Sequence, residues 1–386
     1  MSARGFDRSC AVFLLAGLVA LFLPVGVGEA GSLGWFDRPT MMFGAGVAGV
    51  AGLWCLLLRP KGLIAGLFVT AATIAGASAP LTAISAQAAQ GLEGRTAIGL
   101  GALGVWLFLI GLGFLAWRAM ALCAAVTGAT KQKNRFAALL VPALFGAWLI
   151  YLWQVLVTGF GVPQVLLPAP SVIGAVLTGA TDMLWADFHQ TFIKAVLSGF
   201  AMGCGAGFAV AILVDRVPFL QRGLLPLGNL VSALPIVGVA PIMVMWFGFD
   251  WQSKAAVVVV MTFFPMLVNT IAGLNATTRM EYDLMRSYGA SYFQILLRLR
   301  LPNALPFIFN ALKINSTLAL IGAIVAEFFG TPIVGMGFRI STEIGRMNVE
   351  MVWATIAVAA LAGSLFYGLL ALMERSATFW HPSYRH

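Results

Sequence analysis

Three side chains that could coordinate a metal ion, Asp182, Asp187 and His189, lie within eight residues of one another. Two carboxylates and one imidazole can serve as zinc ligands. In a solvated stretch such residues are more often surface groups, and their spacing matches no metal-binding pattern. We therefore predict that they lie on an exposed amphipathic helix, and that the chain has neither a metal site nor another cofactor.

A glycine-rich sequence, G-x-G-x-G at 203–207, suggests phosphate binding, but it lies within an apolar run and no G-K-[ST] follows it. No Walker-type lysine loop occurs anywhere in the chain. Any nucleotide must therefore bind a separate subunit. Gly199, Gly203 and Gly207 are spaced by four residues, which predicts a small-residue helix face for close packing.

The composition predicts a polytopic membrane protein. Of the 386 residues, 60% are hydrophobic and only 10% are charged, with a mean hydropathy of +0.94. The net charge of +9 would suit nucleic acid, but the basic residues lie at the ends of apolar runs, where they set topology. We therefore expect the lipid bilayer as a partner and no nucleic acid. The four cysteines have no paired or metal-ligand spacing, which indicates small apolar fillers: Cys10, Cys55, Cys123 and Cys204.

The apolar runs predict an all-α fold with about four spans followed by six, since one span needs about 20 apolar residues. The first run could pass for a signal peptide, but we predict an uncleaved anchor. The N-terminal spans are predicted at 10–28, 41–58, 62–84 and 97–122. The later spans are predicted at 138–159, 191–214, 223–247, 255–275, 311–330 and 351–374.

Charge predicts the orientation of these spans. Arg59 and Lys61 separate the second and third spans, and four basic residues follow the fourth: Arg118, Lys131, Lys133 and Arg135. The positive-inside rule then places both termini in the cytoplasm. The polar stretch 127–136 predicts a linker between a four-span accessory unit, 1–126, and a six-span core, 137–386.

A polar segment, 278–306, lies between two long apolar runs and predicts two short helices that meet at a corner. Thr278 with Glu281, and Ser291 with Gln294, each match a capping box. Gly289 between them can adopt the left-handed conformation that ends a helix. Glu281 and Asp283 are expected in the first turn of the first helix, and Pro302 is expected to end the second.

We call residues 278–302 the elbow. Tyr282, Met285 and Tyr288 recur every three residues, so they are expected to share one face that fits an apolar slot in another protein. The alternative is an ordinary helix lying on the lipid surface. Because the capping is repeated and the corner defined, we favour a docking element.

Polar and aromatic residues within the predicted spans are candidates for a pathway or a gate: Phe263, Phe264, Asn269, Asn315 and Glu327. Glu327 could equally tether a neighbouring helix, and the two asparagines could simply join helices. Pro235, Pro241 and Pro265 interrupt helical hydrogen bonding. Such breaks persist where the freed groups are buried or line a cavity, so the third and fourth core helices are expected to border a pathway.

The later part of the sequence, from about residue 140 to 380, resembles the membrane subunit of binding-protein-dependent ABC importers, in the sulfonate, taurine and nitrate branch. The family's cytoplasmic signature runs Glu-Ala-Ala, three residues, Gly, nine residues, then Ile-x-Leu-Pro. Asp283-Leu284-Met285 stand at the first three places, Gly289 at the glycine, and Leu299, Leu301 and Pro302 at the end. The shortened acid and the larger apolar residues imply a reshaped groove on the partner. Residues 1–130 lie outside the resemblance.

The resemblance implies a six-helix type I permease core whose coupling loop, 276–310, contacts a cytoplasmic ATPase dimer. Implied partners are a second permease copy, with a homodimer expected, and an extracytoplasmic solute-binding protein at a bacterial inner membrane. The ATPase-coupling residues it implies are Glu281, Tyr282, Asp283, Met285, Tyr288, Gly289, Ala290, Ser291, Leu301 and Pro302.

The implied function is ATP-driven import of a small solute by alternating access, with a sulfonate-, taurine- or nitrate-like anion favoured and a pyrimidine- or flavin-like heterocycle as the alternative. An exporter, or a system without a binding protein, stays open. An intramembrane enzyme is disfavoured, because the chain has no H-E-x-x-H, no G-x-S-x-G and no close pair of intramembrane carboxylates. A passive channel would have no use for an ATPase dock.

Overall fold

The structure is a computed structural model that describes residues 4–28, 31–37, 39–58, 60–89, 102–129, 135–217, 219–220, 223, 235–330 and 332–380. These residues are almost entirely helical, as the all-α prediction requires. The exception is a short antiparallel hairpin of β1 (Gly26–Gly28) and β2 (Gly31–Leu33). Contacts divide the chain into two compact units, Met1–Val172 and Ile173–His386.

The first unit contains five long helices, of which the last four overlap predicted spans, although α4 ends seven residues beyond the predicted boundary at 122. They are α1 (Arg4–Leu21), α2 (Pro39–Leu58), α3 (Leu63–Ala89), α4 (Leu103–Ala129) and α5 (Arg135–Gly159). Helix α1 ends seven residues before the predicted boundary at 28, so that prediction was wrong. The sequence after Leu21 contains Pro24 and two glycines, which do not continue a helix. The buried Trp35 instead donates from Nε1 to the carbonyl of Ala20 at 2.7 Å and so satisfies one helix-terminal acceptor.

The second unit contains the remaining helices. They are α6 (Pro170–Gly179), which straddles the division, α7 (Thr181–Phe188), a π-helical stretch (His189–Val196), α8 (Leu197–Arg216), α9 (Ile236–Phe247), α10 (Trp251–Leu274), α11 (Arg279–Ser287), α12 (Tyr292–Ile295), a second π-helical stretch (Leu296–Arg300), α13 (Leu301–Glu327), α14 (Met336–Gly345) and α15 (Val349–Ala377).

Three of the spans predicted in this unit differ from the helices in length or position. Helix continues without a break from Thr181 to Arg216 and again from Tyr292 to Glu327, well beyond the predicted 191–214 and 311–330. Helix α9 begins after Pro235, which is its N-cap. Residues 224–234 of the predicted 223–247 span lie outside the described residues.

Eight helices among the described residues are long and apolar enough to cross a membrane. The apolar part of α1, Ser9–Leu21, and the twelve-residue α9 are shorter. The all-α polytopic class is therefore confirmed.

The small-residue face of α8 packs against α10, as its spacing predicted. A Cβ atom on Gly199 would lie 2.7 Å from the carbonyl oxygen of Ala255, and one on Gly203 would lie 2.9 Å from the Cα of Val259. Side chains at these glycines would therefore force the two backbones apart. Close packing, rather than phosphate binding, explains the glycines.

Helix α5, the first span of the predicted core, packs within the first unit. Val155 is fully buried there, and Trp148 and Leu152 pack against the same apolar cluster. Tyr151 donates its hydroxyl to the carbonyl of Ala77 at 3.0 Å. Half of the linker, 130–134, lies outside the described residues, and the division at 127–136 stays a prediction.

Deleting residues 1–126 is expected to leave the rest of the chain inserted with unchanged topology, because Lys131, Lys133 and Arg135 still mark one side of the membrane. Helix α5 loses its contacts with α3 and α4, but lipid replaces apolar contacts at little cost. Single cysteines introduced at the exposed positions 250 and 252 and probed with an impermeant maleimide measure the outcome. The same cysteines in the full-length chain are the control, and labelling from the opposite side after deletion would show the boundary to be wrong.

Candidate functional site

The first elbow helix begins as its sequence predicted. Thr278 accepts at Oγ1 from the backbone N–H of Glu281 at 3.3 Å, and Glu281 Oε2 accepts from the N–H of Thr278 at 2.9 Å. These are the two reciprocal bonds of a capping box. Asp283 lies five residues beyond the N-cap, in the second turn rather than the predicted first turn, which holds Glu281. Its interaction with the helix dipole is correspondingly weaker.

Gly289 ends this helix in the left-handed conformation, with φ of +75°. The N–H of Ala290 bonds to the carbonyl of Met285 at 3.1 Å, and the N–H of Gly289 bonds to the carbonyl of Arg286 at 2.9 Å. This pair of bonds is a Schellman motif, which turns the chain sharply while satisfying the last carbonyls of the helix. The predicted corner is confirmed.

The second capping box is also present, but its helix does not end at Pro302 as predicted. Ser291 and Gln294 exchange the two expected bonds, at 2.7 and 3.4 Å. The helix then widens into the π-helical stretch Leu296–Arg300, and Pro302 lies in the first turn of α13. Proline clashes with the carbonyl four residues back in a regular helix. The five-residue spacing of a π-turn relieves that clash, so the helix continues.

Helix α11 presents an apolar face that none of the described residues covers. It has no buried residue. Its most exposed apolar side chains are Met280 at 79%, Leu284 at 58% and Tyr288 at 83%. Their four-residue spacing places them on one face. The sequence had predicted a face of Tyr282, Met285 and Tyr288. Only Tyr288 belongs to the exposed face, because Tyr282 and Met285 are half-buried. Four-residue spacing from Met280 would have found the exposed face.

A buried ion pair fixes the base of the elbow. Arg300 donates through both terminal nitrogens to the two carboxylate oxygens of Asp215, each at 2.7 Å. Its Nε donates to the carbonyl of Leu274 at 3.1 Å, at the end of α10. The two charged side chains are 13% and 7% exposed. Arg300 therefore joins the ends of α8 and α10 to the start of α13, with the bidentate geometry that guanidinium favours.

Two aromatic side chains extend this arrangement. Tyr292 donates its hydroxyl to Asp215 Oδ2 at 3.0 Å. The guanidinium of Arg216 lies 5.4 Å from the ring centre of Tyr292 and 5.8 Å from that of Phe293, within cation–π range. We call Asp215, Tyr292 and Arg300 the clamp. Sequence reasoning did not assign Asp215 or Tyr292 to the site.

A second polar network caps the start of α14. Asp187 Oδ1 accepts the N–H of Gly335 at 2.8 Å, and its Oδ2 accepts from Arg339 Nε at 2.7 Å. The predicted exposed position of Asp187 was therefore wrong, because the side chain is fully buried and paired. Asp182 and His189 are exposed, as predicted. No group of three potential metal-ligating side chains occurs among the residues that the structure describes.

Glu327 belongs to this same network. Its Oε1 accepts from Thr191 Oγ1 at 2.7 Å, and its Oε2 accepts the N–H of Gly337 at 2.6 Å. Thr191 in turn accepts the N–H of Met336 at 2.7 Å. Free N–H groups at a helix start attract carboxylates. These contacts fit the tether that we considered for Glu327, and a role in gating stays a prediction.

The segment before α10 is held by hydrogen bonds to Asp250. Gln190 Nε2 donates to Asp250 Oδ1 at 2.7 Å, and the N–H of Trp251 donates to the same oxygen at 2.8 Å. These hydrogen bonds hold the pKa of Asp250 below its ordinary value. Lys254 is buried in the first turn of α10. Its ammonium donates to the carbonyl of Phe249 at 2.6 Å.

The other pathway candidates are occupied in helix packing. Asn315 is fully buried and donates to the carbonyl of Thr262 at 2.8 Å and to Cys204 Sγ at 3.2 Å, so it joins three helices. Asn269 donates to the carbonyl of Pro265 on its own helix at 2.8 Å. Phe263 and Phe264 form an edge-to-face pair with ring centres 4.9 Å apart, and both pack against a cluster shared by α8 and α10.

The comparisons with known proteins agree with this architecture. Residues 199–378 match the family described as the binding-protein-dependent transport system inner membrane component. A riboflavin transport system permease protein of Chloroflexus aurantiacus is 30% identical over 254 residues, which cover 65% of this chain and 94% of that relative.

Two further relatives are similar over the same share of the chain. A formylaminopyrimidine transport permease protein of Halalkalibacterium halodurans is 31% identical over 249 residues, covering 64% of this chain and 98% of the relative. A putative aliphatic sulfonates transport permease protein of Bacillus subtilis is 30% identical over 258 residues, which cover 66% of this chain and 91% of that relative.

The chain therefore belongs to the family of inner-membrane components of binding-protein-dependent ABC transport systems, and the resemblance seen in its sequence is confirmed. It is a multi-pass permease subunit of such a transporter.

Replacing Asp215 with Ala is expected to destabilise the base of the elbow, because Arg300 keeps its charge but loses its carboxylate partner. Removing one member of a buried pair typically costs about 3–5 kcal/mol. Thermal unfolding of the detergent-solubilised protein and trypsin cleavage at Arg279, Arg286 and Arg298 measure the effect. Asp182→Ala removes an exposed carboxylate and is the control. An Asp215→Ala protein that is as stable and protease-resistant as this control contradicts the clamp.

Proposed function

We propose that this chain is the permease subunit of an ATP-driven importer, and that the elbow is where an ATPase subunit acts on it. The observation that carries this is an ordered helix, α11, whose apolar face is left uncovered by the part of the chain that the structure describes. Two capping boxes and a Schellman motif fix its shape before any partner binds. A preformed helix loses little conformational freedom on docking, so more of the contact energy appears as affinity.

The coupling surface combines predicted residues with those that the structure adds. Met280, Leu284 and Tyr288 would enter an apolar groove on the ATPase, while Glu281 and Asp283 lie exposed on the same helix. Ala290, Ser291, Leu301 and Pro302 would act by shaping the corner and the helix that leaves it. The clamp gives the docked helix a firm connection to α8, α10 and α13, because Arg300 contacts the ends of all three.

Transport itself would proceed by alternating access between two permease copies, in the inner membrane, with an extracytoplasmic solute-binding protein delivering the solute. Closure of the ATPase dimer would move the elbows and tilt the long helices as rigid bodies. We place both termini and the elbow on the cytoplasmic side, following the charge bias of the connectors. The chain would contribute binding and motion but no covalent chemistry.

Two solute classes are candidates. A sulfonate-like anion is favoured by the sequence resemblance and by relatives whose names refer to aliphatic sulfonates and to taurine. A planar heterocycle is favoured by the relatives whose names refer to riboflavin and formylaminopyrimidine. The aromatic pair Phe263 and Phe264, which is only partly buried, offers ring surface for such a solute.

Substitutions of Gly289 test the coupling role. A Cβ atom there would meet nothing within 4 Å, so any effect must come from the backbone conformation at φ of +75° rather than from a clash. The left-handed conformation costs a β-branched residue more than about 1–2 kcal/mol but suits Asn. The uptake rate should therefore decrease from Gly289→Asn to Gly289→Ala to Gly289→Val. We expect Gly289→Val to abolish uptake while the protein still inserts normally into the membrane.

Gly205 is the matched control, since a Cβ atom there also meets nothing within 4 Å and its φ is not positive. Gly205→Ala is expected to transport normally. Uptake by Gly289→Val at the wild-type rate would contradict coupling through the elbow.

The solute class is measured by uptake into proteoliposomes that contain the permease, its ATPase and its solute-binding protein. Radiolabelled taurine, an alkanesulfonate, nitrate, a formylaminopyrimidine and riboflavin are compared with and without ATP. Accumulation of one class that requires both ATP and the binding protein supports import and identifies the class. Accumulation without the binding protein, or ATP-dependent efflux, would favour the alternatives considered from the sequence.

A further inference from the structure

Helices α3, α4 and α5 of the first unit line a pocket of about 230 Å³. Each helix contributes one face, because its lining residues recur every three or four positions. On α3 they include Thr70, Thr73 and Ala77, and on α4 they include Ala116 and Ala119. The alanines leave space that larger side chains would fill. Protein interiors contain few voids larger than a water molecule, so a pocket of this size is exceptional.

The wall formed by α5 is aromatic. Trp148 and Tyr151 both line the pocket, and their ring centres lie 5.2 Å apart. Ala147, beside Trp148, also lines the pocket and is exposed, so the pocket opens to the surface of the unit there. A flat ligand would therefore meet ring surface from α5 and small side chains from α3 and α4.

Three hydroxyl groups line the pocket, and each already donates its hydrogen to the backbone. Thr70 and Thr73 donate to the carbonyls four residues earlier on α3, at 2.8 and 2.7 Å, and Tyr151 donates to the carbonyl of Ala77 at 3.0 Å. Both threonines are more than nine-tenths buried. A hydroxyl has one hydrogen and two lone pairs, so these groups can only accept a further hydrogen bond.

The charge and the size of the pocket limit the ligand further. None of the described residues that line it is charged, so an ionic ligand would be desolvated without a partner. An apolar cavity of about 150 Å³ holds benzene. This pocket, at about 230 Å³, is roughly half as large again, which suits two fused rings.

We propose that this pocket binds a planar, uncharged, bicyclic aromatic molecule that donates one hydrogen bond, and that Thr73 is its acceptor. Thr73 lies one turn from Ala77, to which Tyr151 bonds, so among the two threonines it is nearer the aromatic wall. A lipid acyl chain would suit the apolar walls but has no hydrogen to donate. The bound molecule would hold α5 against α3 and α4.

Indole is the probe for this site, because it has two fused rings and one N–H donor. Indene has the same ring skeleton but no donor. Binding of radiolabelled indole to the full-length chain in phospholipid nanodiscs is measured by equilibrium dialysis, and empty nanodiscs correct for partitioning into lipid. We expect saturable binding of one indole per chain. Indene should compete about fivefold more weakly than unlabelled indole, which corresponds to the loss of one ordinary hydrogen bond.

Two results of this measurement would overturn the proposal. One is indole binding that does not exceed the partitioning into empty nanodiscs. The other is competition by indene that equals competition by unlabelled indole, which would identify the pocket as a site for any apolar molecule, such as an acyl chain.

Thr73→Val tests the acceptor, since it removes the hydroxyl and nearly keeps the shape of the side chain. We expect indole to bind about fivefold more weakly and indene to bind as before. Thr82→Val is the control, because Thr82 also donates to a carbonyl of α3, that of Ala79 at 2.9 Å, but does not line the pocket. Wild-type indole affinity in Thr73→Val would overturn the assignment of the acceptor.

Ala147→Phe tests the pocket without disturbing a buried side chain, because Ala147 is exposed at the opening. The added ring should fill the space and abolish saturable binding of both indole and indene. Ala143→Phe is the control, since Ala143 is exposed on the same helix but does not line the pocket. Indole affinity in Ala147→Phe that equals the affinity in Ala143→Phe would show that indole binds elsewhere.

Discussion

The bidentate pair between Arg300 and Asp215 is the contact on which the proposed coupling depends. An exposed helix can bind a partner without passing motion to the rest of the chain. Here the helix that leaves the corner carries Arg300, and Arg300 contacts the ends of two other long helices. Ion pairs of this kind are weak evidence for stability, since desolvation offsets much of their attraction. Such a pair instead fixes the relative orientation of the two helices, because a planar guanidinium can bond both carboxylate oxygens only within a narrow range of positions.

The interior of the second unit follows a related constraint. In an apolar environment each polar group needs a partner from the protein itself. Asp187, Thr191 and Glu327 supply acceptors to the start of α14, and Asn315 donates to a carbonyl on a neighbouring helix. Of the polar residues considered for a pathway, Glu327 and Asn315 therefore also join neighbouring helices. Such networks specify one helix arrangement more strongly than apolar contacts do, because a small shift leaves several groups unsatisfied.

The features that could be predicted from the sequence are those formed by residues close together in the chain. Capping boxes and the turn at Gly289 involve residues three to five positions apart, so they could be recognised directly. The clamp joins Asp215 to Arg300, which are 85 positions apart in the sequence. Asp187 and Arg339 are 152 positions apart. No local pattern records such pairs, although an acid near the end of one apolar helix and a base just before another could have suggested the first. Pro302 was misjudged because the rule that proline ends a helix assumes regular α geometry. The π-turn removes that assumption.

The uninterrupted helix from Tyr292 to Glu327 has a mechanical consequence. Its 36 residues span about 54 Å at the usual rise per residue, considerably more than the roughly 30 Å thickness of the bilayer hydrocarbon. Such a rod acts as a lever arm whose near end is held at Arg300 and whose far end carries Glu327. Glu327 lies about 40 Å from Arg300 along the helix, so a tilt of only about 5° would displace it by about 3.5 Å, roughly two thirds of one helical turn. Because Glu327 is bonded to the start of α14, that displacement would pull on a second helix, so the rod would transmit force in both directions.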